Sequence, residues 1–200
     1  MANVVPTKGS LIAITRTLTL ARMGYDLMDR KRNILIREMM RLIDAAAALQ
    51  GRIDATFSEA YQALQMANIV HGTCREMAEN IPLDESVQIR FRGVMGVELL
   101  HVTVDQSPAK AIAFASTSRD FDEAVSRFHA VKLLTAELAE VETSIYRLAT
   151  AVKKTQKRAN ALQNVIIPDL TAKVKLITAA LEEKEREEFV RMKVIKARRR

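Results

Sequence analysis

Two hundred residues carry 31 Lys and Arg against 24 Asp and Glu, a formal charge of +7, and only 4% are aromatic, with no Trp, six Gly and four Pro. That is poor material for a compact mixed core, whereas abundant Ala, Leu, Ile, Met, Lys, Arg and Glu suits long helices. No stretch approaches ~20 uninterrupted apolar residues, which argues against a membrane span; the first residues lack the basic flank and apolar run of a signal peptide; and one cysteine, Cys74, cannot form an internal disulfide, as suits a reducing compartment.

The first predicted element is a coiled-coil helix within residues 1–79. Apolar residues recur in alternating steps of three and four at Leu11, Ile14, Leu18, Ala21, Tyr25, Met28, Leu35, Met39, Leu42, Ala46, Leu49, Ile53, Ala60, Ala63, Ala67 and Val70. Arg32 and Thr56 are the polar interruptions. Such a stripe keeps facing a partner only if the two helices supercoil. About sixty residues at ~1.5 Å rise span roughly 90 Å, more than a small catalytic pocket requires and suited to a shaft, spacer or lever.

A connecting segment of different texture follows over residues 80–119. Ile81-Pro82 stops the first helix, because the residue before proline is pushed out of the helical region. Val87, Ile89 and Phe91 alternate with Gln88, Arg90 and Arg92, the period of a half-buried strand, and Val97–Val104 reads as its return partner across Gly93-Val94-Met95-Gly96. This predicts a β-hairpin at about 86–104. A lone hairpin is marginal in water. Phe91, Val97, Leu99 and Leu100 are therefore the candidate partner-binding residues of this segment. Ser107-Pro108 and the small residues after it read as the link onward.

Residues 120–200 are predicted to form the second coiled-coil helix. Its seam runs Val131, Leu134, Leu138, Val141, Ile145, Leu148, Val152, Thr155, Ala159, Leu162 and Ile166, then stutters in steps of four through Leu170 and Val174 before Ile177 and Leu181. Pro168 lies in the stutter, where a missing N–H and a clash with the preceding turn predict a kink rather than an end. The fold class is thus all-α, a long antiparallel two-helix coiled coil with a small β-hairpin between its helices. If Leu11 meets the Leu181 end and Val70 meets Val125, facing residue numbers total roughly 195–200, taking equal rise on both strands.

The search for chemistry returns no Gly-x-x-x-x-Gly-Lys-Ser/Thr phosphate loop. His71, His101 and His129 lack zinc-ligand spacing. Asp26 with Asp29, and Glu182, Glu183, Glu185, Glu187 and Glu188, fall on exposed flanks with no apolar pocket to tune them for acid–base work. We expect no catalytic residue, cofactor site or metal site. The positive charge is concentrated at Arg191, Lys193, Lys196, Arg198, Arg199 and Arg200, without the continuous basic face and aromatics of a single-strand nucleic-acid binder, so no nucleic-acid partner is expected.

Both ends of the chain resemble the D subunit of the V-type and A-type rotary ATPases. Val5-Pro6-Thr7-Lys8 is similar to that family's Pro-Thr-Arg start, and Ala21-Arg22-Met23-Gly24-Tyr25-Asp26-Leu27-Met28-Asp29-Arg30-Lys31-Arg32 to its small-x-x-Gly-x-x-Leu-Leu-Lys-x-Lys segment. Lys157-Arg158-Ala159-Asn160-Ala161-Leu162-Gln163 resembles Arg-Arg-Val-Asn-Ala-Leu-Glu, with departures at Ala159 and Gln163. Val165-Ile166-Ile167-Pro168 matches the Ile-Pro element, and Leu181-Glu182-Glu183-Lys184-Glu185-Arg186 the Leu-Glu-Glu-x-Glu-Arg element. The resemblance implies a non-catalytic rotor of the central stalk, cytoplasmic and peripheral to a membrane-bound complex, without membrane insertion of its own. It implies three partners: the small F subunit of the stalk, the hexamer of catalytic and regulatory subunits, and the socket subunit above the membrane ring. Arg191, Lys193, Lys196 and Arg198 would then form the tip that contacts the hexamer. A stand-alone coiled-coil adaptor or secretion-export stalk would explain the seams equally well, but has no reason to carry the Asn-Ala-Leu-x-x-x-x-Ile-Pro segment. The γ subunit of F-type ATPases places a much larger α/β domain between its helices than these forty or so residues allow.

Overall fold

The structure, a computed structural model, describes residues 5–79, 86–104 and 119–198. The expected helix stop at Ile81-Pro82, the link at Ser107-Pro108, and Arg199 and Arg200 lie outside them. Helix α1 spans Lys8–His71, the short α2 Arg75–Glu79, strands β1 Gln88–Val94 and β2 Val97–Thr103, helix α3 Arg119–Ala161 and helix α4 Ile167–Arg198, with a π turn at Leu162–Ile166 joining α3 to α4. The fold is the expected one of two long helical arms and an antiparallel hairpin between them.

The start of α1 is chemically specified. The Thr7 hydroxyl accepts from the Ser10 N–H at 3.1 Å and the Ser10 hydroxyl accepts from the Thr7 N–H at 3.1 Å, a reciprocal cap that satisfies two otherwise orphaned donors. The other end closes at Gly72, whose φ of 75° is the left-handed conformation that terminates helices. The hairpin turns on Met95 and Gly96 at φ 50° and 74°, the pair of positive values whose twist matches that of the flanking strands. Gly93, which the sequence suggested as part of the turn, lies within β1 opposite Glu98.

The chain forms two compact units, one of residues 1–34 with 152–200 and one of residues 35–151. In the first, Leu18, Thr155, Ala159 and Ile177 are buried. Arg32, a polar interruption of the seam, donates from Nη1 to Gln156 Oε1 at 2.9 Å and pairs with Asp29, and Gln156 Nε2 donates on to Asn160 Oδ1 at 2.8 Å. The second unit buries Leu35, Leu49, Ile53, Ala60, Ala67, Val131, Val141, Ser144 and Leu148. Leu35 and Leu148 are fully enclosed. Ala67, Cys74 and Phe121 pack together with Val125 against them.

Three expectations are corrected. Where Arg32 and Glu59 fix it, the register is slipped by about two to three helical turns. Arg32, which the expected register sets opposite residues near Asn164, bonds Gln156, and Glu59 meets Arg127 at 2.6 Å rather than a residue near Glu137. In the second unit Phe121 joins Ala67 in the core, with Val125 packed beside them. The seam also leaves α1 through Ala67 and the half-buried His71, so Val70 stands 59% exposed.

The third correction is at Ile166, 41% exposed although the apolar rhythm puts it in the seam. Pro168 has no N–H to give Asn164, and its ring crowds the carbonyl one turn earlier. The backbone answers with a wider turn in which the Ile167 N–H reaches back to the Leu162 carbonyl. One extra residue per turn carries the seam from Leu162 to Ile167, half-buried, from which steps of three and four through Leu170, Val174, Ile177 and Leu181 resume.

Candidate interaction surfaces

The hairpin surface is built by α3. Glu140 straddles β2: Oε2 accepts the Val102 N–H at 2.7 Å and Oε1 lies 3.1 Å from His101 Nδ1. Two turns along the same helical face, Arg147 Nη1 donates to the Glu98 carbonyl at 3.0 Å, and its guanidinium stands 5.3 Å from the centroid of the Phe91 ring. Cation over ring and charge over backbone hold the hairpin where its own two strands would not. Leu99, on β2, is 6% exposed and is removed from the candidate contact set. Phe91 is 60% exposed, while Val97 and Leu100 are half-buried.

The far end of the second unit carries a cluster that hydrophobic spacing did not single out. Phe57 stacks on Tyr61 at 5.9 Å, Tyr61 meets Phe128 edge-on at 5.8 Å, and Arg127 bridges Glu59 and Glu123. Beside it a shallow open depression is lined by Glu59, Gln62, Ala63, Met66, Asp120, Glu123 and Arg127. Among the described residues no group of three or more His, Cys, Asp or Glu side chains is placed to hold a metal ion, and no helix is long and apolar enough to cross a membrane.

In the first unit the C-terminal part of α4 is exposed throughout. The tip residues Arg191, Lys193, Lys196 and Arg198 all face solvent. Just before and between them, and missed by a reading that followed charge, stand Phe189, Val190, Met192, Val194 and Ile195, each about half exposed or more. The signal was present in the sequence as apolar residues continuing past Leu181, where the seam meets Glu185 and Glu188 and ceases to be one. Lys193 Nζ caps the Phe189 ring at 4.8 Å. At the other end of this exposed stretch Lys8 bridges Glu185 at 3.0 Å, and that hydrogen bond, with the attraction of the same carboxylate, raises the lysine pKa. The pair is largely exposed, so its stabilisation, present at neutral pH and lost as pH rises through the raised value, is small.

The match to known proteins covers almost the whole chain. The family model described as the ATP synthase D subunit matches residues 10–197. The V-type ATP synthase D subunit of Thermotoga neapolitana is 42% identical over 197 residues, 97% of each chain. The A-type ATP synthase D subunit of Thermococcus kodakarensis is 36% identical over 98% of this chain and 95% of its own, and that of Pyrococcus abyssi 36% over 98% and 94%. Two long helical arms, a hairpin strapped to the second of them and an end-to-end sequence match agree: the chain belongs to the family of ATP synthase D subunits.

Proposed function

We propose that this chain is the rotor shaft in the central stalk of a V-type or A-type ATPase, transmitting torque between the catalytic hexamer and the membrane ring during ATP-driven ion transport or ATP synthesis. It is non-catalytic, cytoplasmic and peripheral. Its partners are the small F subunit of the stalk, the hexamer of catalytic and regulatory subunits, and the socket subunit. The reading is supported by the end of α4, where five apolar side chains and four cations share one exposed stretch of helix. A helix that leaves Phe189, Met192 and Ile195 in water is destabilised by that exposure unless a collar receives it. Cations at the C-terminal end suit both the helix dipole and an acidic or carbonyl-rich lining. Torque transfer then requires only that one eccentric surface stabilise otherwise equivalent sites in different conformations.

The test is co-expression with the small stalk subunit and, separately, with the hexamer subunits, for the full chain and for a chain ending at Phe189. The full chain should co-elute with both. The truncated chain should keep the small subunit and bind the hexamer at least about tenfold more weakly at low salt, with the difference narrowing at high salt as surface charge is screened. Equal hexamer binding by both chains would reduce the terminal helix to a solubilising end, and failure of the full chain to bind either partner would favour a stand-alone adaptor.

A further inference from the structure

Among the described residues the hairpin has one edge occupied and one open, and hydrogen-bond geometry says which groups the open edge presents. A two-residue turn makes Val94 and Val97 a pair that exchanges both backbone hydrogen bonds, and such pairs recur at every second residue, at Arg92 with Leu99 and Arg90 with His101. The residues between them turn their N–H and C=O groups outward. On β2 those are Glu98, Leu100 and Val102, and the Glu98 carbonyl and Val102 N–H are the groups that Arg147 and Glu140 take up. On β1 the corresponding residues are Ile89, Phe91 and Gly93, on a strand exposed along all but its last position.

We propose that the outer edge of β1 is a strand-addition site for an acidic partner segment, whose backbone pairs with Ile89, Phe91 and Gly93 and whose carboxylates meet Arg90 and Arg92. Side chains alternate across a strand. Ile89 and Phe91, 57% and 60% exposed, therefore lie on one face of β1, and Arg90 and Arg92, both exposed, on the other. The matching segment is an extended one that alternates apolar residues with Asp or Glu. Charge also excludes a second copy of this chain, since edge-to-edge pairing would gather four guanidinium groups on one face. Backbone pairing supplies the affinity of such a contact and alternate side chains its selectivity. The inference rests on the hairpin being a partner-binding element and adds how it binds.

The probe is a synthetic peptide of about ten residues alternating Val and Glu, with a Val–Lys peptide as its counterpart, titrated into the full-length, isotopically labelled chain. Amide exchange at Ile89, Phe91 and Gly93 should slow at least about tenfold with the Val–Glu peptide and not with the Val–Lys peptide. The double variant R90E/R92E should reverse that preference. Ile89→Pro removes an outward N–H and no ladder bond, so it should weaken binding about tenfold while the ladder amides of Arg90 and Arg92 stay protected. Equal binding of the two peptides, protection elsewhere, or no protection at saturating peptide would overturn the proposal. Co-elution with the small stalk subunit is scored separately: its retention alongside a failed peptide titration would remove the edge-pairing mode alone, and its loss would remove the stalk reading.

Discussion

Two adjacent isoleucines divide the work of one seam position. Ile166 has the rhythm and is 41% exposed, whereas Ile167 is half-buried because the turn before Pro168 holds an extra residue. The expected consequence is an asymmetry that sequence spacing alone would reverse. Ile167→Ala should cost about 1–3 kcal/mol in denaturant unfolding, and Ile166→Ala less than about 1 kcal/mol. A larger loss at Ile166 would return the seam to its uninterrupted course. The residue scale was the least legible in the sequence. The proline and the stutter were both visible, but that the helix answers the missing N–H with a π turn depends on backbone geometry that no single residue type encodes. Leu99 was misassigned for a related reason: alternation gives two faces of a strand and does not say which face is covered.

The long helices were legible as elements because a period of 3.5 sustained over about sixty residues has one economical explanation. The hairpin was legible from alternation and from Gly96. Its anchorage was not, since Glu140 and Arg147 lie some forty residues beyond the strands and look like ordinary flank charges. Glu140 satisfies a backbone N–H and lies beside His101, so removing it should loosen the hairpin without unfolding the helices. In Glu140→Ala, the Val102 amide should exchange at least about tenfold faster and the buried seam amides near Leu148 should be unchanged, as read by hydrogen exchange. Uniform acceleration across both regions would mean that the carboxylate supports the whole unit rather than the strap.

At the scale of the whole molecule, the motifs at both ends of the chain pointed to one family, and a match over residues 10–197 agrees. The register was less legible. Heptads repeat, so a seam slipped by two turns still pairs apolar with apolar, and only particular pairs such as Arg32 with Gln156 or Glu59 with Arg127 decide it. The exposed apolar end of α4 belongs to this scale too, because the contact proposed for it lies outside the chain. The central claim, that this chain turns inside a hexamer, is tested most directly by watching it. With Cys74→Ser removing the native thiol and Ile69→Cys, at a position 76% exposed, carrying a gold bead, the hexamer is fixed to glass and ATP is added. Unidirectional rotation of the bead with pauses at each third of a turn is the predicted result; sustained ATP hydrolysis with a bead that stays at one angle would contradict the account.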